Sequence, residues 1–300
     1  MTTGGAMARK RMFSVSGINI RVHKKGHAAE HYSQMWRLFW EQRRSIRHAN
    51  TALMIGDIRF EDENNPEAPI YGYLYRFLEI DKDEAWFDIE QHKKADAKDV
   101  SQISIPEKLK ASLKEIPYFF DVKRHKLYFV RSEMETGVSP WMVLKLIQRL
   151  GQDQIVIKEL GHVDATILTD QSKLEELYSW QVIKIIDVTI ERPNPLDFED
   201  EVEVFKRMKA RGVSEEKFGY KKAPDAETIT PDKEMKAVVS IGADNGSVHA
   251  KGVESDGKPV EISSKDIPRI ERAQYNHNIS TLMDSFKAFV SQGFKNLHND

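Results

Sequence analysis

The hydrophobic period of the chain switches between two and about 3.6 residues along its length, which admits neither an all-helical bundle nor a pure β-barrel. Phe13, Val15, Gly17, Ile18, Ile20 and Val22 make a strand-like stretch, and from Ala28 the repeat becomes helical. Tyr32, Met35, Trp36, Phe39, Arg43 and Ile46 then share one face, which predicts a helix of about 20 residues. Strands are predicted over residues 52–60 and 70–80, on either side of an acidic loop with Asn64, Asn65 and Pro66, so the first unit reads β-α-β-β.

Downstream, Pro106 is expected to open a short helix. Residues 118–122 and 126–131 read as a hairpin turning at Lys123, Arg124 and His125. Ser139-Pro140 starts a helix to Leu150 that Gly151 closes. Residues 163–168 read as a strand, 171–178 as a helix, and 180–191 as a long strand ended by Arg192-Pro193-Asn194-Pro195. Residues 196–236 are helical in pattern and highly charged, but Gly212, Gly219, Pro224 and Pro231 break them, which suggests a linker. Asp244-Asn245-Gly246 and Asp256-Gly257 are hairpin signals between residues 238–243, 248–253 and 260–263. A terminal helix follows, with Ile279, Leu282, Met283, Phe286, Phe289, Val290 and Phe294 on its apolar face.

The expected architecture is therefore α+β, with mixed or antiparallel sheets and helices on one face. Residues 1–195 form an N-terminal α+β domain, divisible near residue 100 into two sub-lobes. Residues 196–236 are a charged helical linker, and 237–300 a three-stranded meander with its terminal helix. With 40% hydrophobic and 31% charged residues, 300 residues are enough to bury a core without staples. Absence of cysteine excludes disulfides, thiolate zinc sites and cysteine nucleophiles, and fits a reducing cytoplasm. No apolar run reaches the roughly 20 residues that cross a bilayer, so membrane insertion and secretion are not expected. Met7, followed by Ala8, Arg9, Lys10 and Arg11, reads as a natural start.

The net charge of -2 hides a polarised chain. Residues 1–60 carry 11 Lys/Arg against 3 Asp/Glu, whereas residues 61–100 carry 5 against 12. Such asymmetry suits a basic face for polyanions, or self-association through unlike patches.

Gly-rich phosphate loops, a nucleophile elbow, HExxH, kinase signatures and an EF-hand are all missing from the sequence, and no cofactor is expected. Three partial constellations remain. His23, His27 and His31, spaced by four, would stack as metal ligands if a helix began early, although surface histidines are the plainer reading. Asp225, Glu234 and Lys236 loosely copy the acid, acid-x-lysine set of Mg²⁺-dependent nucleases; the competing reading is a solvated charged linker. Basic clusters are the third candidate. Arg43, Arg44 and Arg47 crowd the predicted end of the first helix, Lys123, Arg124 and Lys126 a hairpin tip, and Lys206, Arg207, Lys209 and Arg211 one charged segment. All could neutralise phosphates. Trp36, Phe39 and Trp40, like Tyr118, Phe119, Phe120, Tyr128 and Phe129, read mainly as core, with one or two of the hairpin rings able to stack on bases.

Several stretches together carry a resemblance. They are Arg9-Lys10-Arg11-Met12-Phe13 with Ile18-Asn19-Ile20, Tyr75-Arg76-Phe77 to Trp86-Phe87-Asp88-Ile89-Glu90, His125-Lys126-Leu127-Tyr128-Phe129-Val130, Glu191-Arg192-Pro193-Asn194-Pro195, and Ala243-Asp244-Asn245-Gly246. These are similar to a bacterial domain-of-unknown-function family, number 4747, over nearly the whole chain. More loosely, the order of elements resembles RexA, the phage-exclusion protein of lambda, and KwaB of the Kiwa defence system. That resemblance implies a dimeric, DNA-binding sensor without catalysis of its own that acts with a membrane effector encoded nearby. Taken with the basic clusters and the missing catalytic set, the leading reading is a cytoplasmic phage-defence sensor expected to bind double-stranded DNA without sequence preference. No functional residue carries over from either protein. The alternatives are a Mg²⁺-dependent nuclease or toxin, and a non-enzymatic oligomeric assembly protein.

Overall fold

Strand β1 (Lys10–Val22) is the hub of the structure, a computed structural model that describes residues 10–24, 29–81, 84–134, 136–191 and 199–294. The last ten residues of β1 are all buried, so both of its faces are covered. The chain continues through α1 (Ala29–Glu41), β2 (Ser45–His48), β3 (Thr51–Ile55), β4 (Arg59–Phe60) and β5 (Ile70–Leu78). Next come β6 (Phe87–Asp88), β7 (Lys93–Lys94), α2 (Ala97–Ser101), β8 (Ala111–Asp121), β9 (Lys126–Ser132), α3 (Pro140–Gly151), α4 (Gln154–Leu160) and β10 (Val163–Ile167). The remainder is α5 (Gln171–Glu175), β11 (Val182–Glu191), α6 (Glu199–Arg211), β12 (Glu215–Lys221), α7 (Lys233–Asp244), β13 (Gly246–Val253), β14 (Pro259–Ser263), β15 (Glu271–Asn276) and α8 (Leu282–Ser291).

Two antiparallel sheets organise these elements. The larger runs β10-β1-β9-β8-β5-β3-β2, with β15 sharing the β10 edge of β1 and β4 added beside β5. On its first face, Tyr32, Met35, Trp36 and Phe39 of α1 are buried at three- and four-residue steps. Trp36 stacks on Tyr118 with ring centroids 4.8 Å apart and planes within 9°. On the other face, Phe289 of α8 meets Phe13 at 5.8 Å and Lys287 lies 3.5 Å over the Tyr71 ring. Tyr71 is the register partner of Phe119, which points opposite to its neighbour Tyr118. Helices thus cover both faces of this sheet, not one.

The smaller sheet, β12-β11-β13-β14, has its own core under α6 and α7. Gly242 lets α7 lie close on β11, since a Cβ there would stand 2.3 Å from Val188 Cγ1. The two sheets join where the C-terminus of α7 meets β1 and β10. Asn19 Nδ2 donates to the Asp244 carbonyl at 3.1 Å, Thr166 Oγ1 to the same carbonyl at 3.2 Å, and Thr169 Oγ1 to the Ala243 carbonyl at 3.0 Å. Side chains of the first sheet thereby satisfy carbonyls that the helix end leaves open.

The α+β class and antiparallel pairing agree with expectation, and several elements differ. α1 has 13 residues because Arg43 takes a left-handed φ of 49°, and Ile46 reaches the core from β2. Pro106 lies in a turn closed by Leu109 N–H to its carbonyl. Within 196–236, read as a linker, β12 is a full member of the second sheet. Val238 to Ala243 are helical, since Asp232 caps α7 by accepting from Met235 N–H, so Asp244-Asn245-Gly246 joins a helix to a strand. The expected meander reduces to the β13–β14 hairpin, and β15 and α8 belong to the first sheet and its core. Ile279 is exposed and takes no part in that core.

Candidate nucleic-acid interface

Helix α3 begins where Ser139 Oγ accepts from Met142 N–H at 3.2 Å, with Pro140 in the first turn. Met142, Val143, Leu146, Ile147 and Leu150 face the core. The opposite side therefore carries Trp141, Lys145, Gln148, Arg149 and Gln152. Trp141 is an anomaly on such a face, a large ring left 51% exposed. Lys145 Nζ sits 5.0 Å from its centroid, and the His48 imidazole meets it edge-on at 5.9 Å.

Trp141 is the ridge between two hollows. The first, about 430 Å³, lies between α3 and β2 and presents Arg47, His48, Lys145 and Arg149 without a carboxylate in its walls. Lys145 and Arg149 have no carboxylate partner among the described residues, and Arg47 has only Asp81 at 3.8 Å. The second, about 400 Å³, opens between α3, β10 and the second sheet, and adds Glu191, Lys265 and Asp266 to Trp141, Lys145 and Gln148. Lys145 and Arg149, free of carboxylates, together with the loosely paired Arg47 and an exposed indole provide charge for a phosphate backbone and a flat ring for a base.

The family described as Domain of unknown function (DUF4747) matches residues 11–291. The chain belongs to the DUF4747 family. No curated protein matches it. The match takes in every residue of both hollows in this DUF4747 protein, and its description names no activity.

The basic residues singled out in the DUF4747 sequence are dispersed. Arg43 and Arg44 follow α1 instead of ending a longer helix, and Arg44 pairs with Asp153 at 2.7 Å. Arg47 alone of that cluster reaches the α3 groove. At the hairpin, Lys123 pairs with Glu67 at 3.4 Å and Arg124 with Asp121 at 3.1 Å. Lys126 lies apart from them, in a cavity of about 410 Å³ with Arg269, Asp170, Asp244 and Glu271, where carboxylates outnumber cations. Burial holds the Asp244 carboxyl there above its ordinary value. On α6, Arg207 and Arg211 both bind Glu216, at 2.8 and 3.0 Å, which leaves Lys206 and Lys209 as the exposed pair. Burial draws the Glu216 carboxyl up, but these two guanidinium groups outweigh it and hold it below the usual range.

The other constellations come apart. Glu234 and Lys236 sit on α7, not a strand, and residues two apart on a helix point away from each other. Lys236 Nζ lies 5.0 Å over the Tyr178 ring, and Asp225 is in a turn after β12. His23 follows β1 directly while His31 is on α1, so the two share no helix face; His27 lies outside the described residues. The described residues contain no group of three or more His, Cys, Asp and Glu suited to a metal. Trp36, Phe39 and the hairpin aromatics are buried, and Trp40 bonds the Gly56 carbonyl.

His23 Nε2 instead bonds Asp164 Oδ2 at 2.7 Å, and that hydrogen bond holds the Asp164 carboxyl below its ordinary 3.8. Because the folded value is depressed, the contribution of Asp164 to stability is complete above pH of about 4 and is lost as pH falls through the lower folded value. Asp164→Asn should therefore melt below wild type at pH 5, with the gap closing towards pH of about 2. Thermal melts across that range check this, and a gap that stays constant to the acid end would contradict it.

Sequence reasoning missed Trp141, Lys145, Arg149 and His48. A signal was present: a tryptophan on the polar face of an amphipathic helix, with Lys145 four residues on and Arg149 eight.

Proposed function

We propose that this protein binds nucleic acid through the α3 groove without itself reacting with it, as the sensing component of a bacterial anti-phage system that works with a partner effector. The observation that carries the binding is the carboxylate-free hollow of Arg47, Lys145 and Arg149 beside the exposed Trp141 ring. Elsewhere most of the arginines of the expected basic clusters are neutralised by neighbouring carboxylates. The defence role rests on the resemblance of element order to RexA and KwaB, which also supplies the expectations of a dimer and of an effector from a neighbouring gene. No helix among the described residues is long and apolar enough to cross a membrane.

Binding of labelled duplex and single-stranded DNA across a salt series, with and without Mg²⁺ and with products resolved on a gel, tests this. Affinity that falls steeply with salt while the DNA stays intact is expected. Magnesium-dependent cutting would favour a nuclease, and no binding at low salt would remove the reading. A strictly monomeric chain at micromolar concentration in sedimentation would remove the dimer.

A further inference from the structure

The second hollow beside Trp141 is chemically unlike the first. Its walls combine apolar surface from Trp141, Leu144 and Ala165 with two carboxylates, Glu191 and Asp266, which the first hollow lacks, and with Lys145 and Lys265. At about 400 Å³ it falls within the range of small-molecule sites. Glu191 is not simply a surface acid. Its Oε2 accepts from Nη2 of Arg21, whose side chain is only 2% exposed and whose Nε and Nη1 have no partner. A buried guanidinium with one bond holds the carboxylate in place from behind. Glu191 nonetheless keeps 35% of its side chain exposed, and its Oε1 has no partner among the described residues. Glu191, which lines the hollow, therefore retains acceptor capacity.

We propose that this hollow takes one unpaired nucleobase of a strand whose phosphates lie in the carboxylate-free hollow across Trp141. The inference rests on the nucleic-acid reading above and adds strandedness and base preference to it. Lys145 and Gln148 belong to both hollows, so a strand crossing the Trp141 ridge meets cations first and the base site next. Stacking on the indole is available to any base. The carboxylates are not indifferent: Glu191 and Asp266 accept from an exocyclic amino group, which cytosine, adenine and guanine carry and thymine lacks. A base inside a duplex cannot enter without leaving its stack, so single strands and unpaired ends are favoured over blunt duplex.

The test uses the full chain and fluorescence anisotropy with labelled single strands of deoxycytidine or thymidine and a blunt duplex of equal length. Wild type is expected to bind the deoxycytidine strand at least about fivefold more tightly than the thymidine strand. Ser247→Phe, which fills the hollow from β13, should abolish that preference and leave salt-dependent duplex binding in place. Glu191→Gln should also abolish it. Circular dichroism shows whether each variant is folded; if loss of the Arg21 partner unfolds the second, Ser247→Phe still decides. Equal affinity for the two strands, or a preference that Ser247→Phe leaves intact, overturns the base site while duplex binding preserves the parent reading. Failure of wild type to bind any of the three at low salt overturns both.

Discussion

Trp36→Ala is expected to destabilise the protein by about 3–5 kcal/mol, a large part of the roughly 5–15 kcal/mol that folded domains have. Trp36 is fully buried, stacks on Tyr118 at 4.8 Å, and leans on Phe120 at 5.5 Å. Its removal would leave a ring-sized cavity at the centre of the α1 contact with the large sheet. The indole Nε1 is buried without a hydrogen-bond partner. Trp36→Phe keeps an aromatic ring on Tyr118 and removes that orphan donor, so its cost should stay below about 1.5 kcal/mol. Urea unfolding followed by circular dichroism compares the two. A Trp36→Ala midpoint close to wild type, or one matching Trp36→Phe, would mean that the α1 contact is not central to the fold.

Glu191→Ala should cost on the order of 3 kcal/mol, the low end for a broken buried pair because Glu191 is itself partly in water. The penalty comes from Arg21, which would remain buried between the sheets with none of its nitrogens paired. Removing both charges, in Arg21→Met with Glu191→Gln, should recover most of that loss, since an apolar replacement avoids desolvating a guanidinium. The double-mutant cycle measures the coupling. A double variant no more stable than Glu191→Ala alone would show that Arg21 does not depend on this carboxylate.

What the sequence discloses about the fold is what local chemistry decides. β1, the β8–β9 hairpin and the Ser139-capped α3 follow from period, turn and cap signals contained in a dozen residues each. Two segments went against their local pattern. The run Val238-Val239-Ser240-Ile241 reads as a strand from its branched residues, yet the Asp232 cap and the fit of Gly242 on Val188 make it helical. β12 turns Glu216, Phe218 and Tyr220 inward at period two, but a half-buried glutamate among them hides the strand until Arg207 and Arg211 are placed beside it. The candidate site is legible only in part for a related reason. Arg47 is visible as one of several arginines, but nothing within ten residues of it says that β2 lies alongside α3 and faces Trp141, Lys145 and Arg149. That juxtaposition is made by the whole sheet.

The central claim is that the α3 groove holds a phosphate backbone. It is tested most directly by the slope of log affinity against log salt for duplex DNA, measured for wild type and for the triple variant Arg47→Gln, Lys145→Gln, Arg149→Gln. Weaker binding by the variant at every salt concentration is expected, with a slope shallower by about three, one for each phosphate contact removed. Parallel lines of equal affinity would contradict it and place the contact elsewhere on the chain.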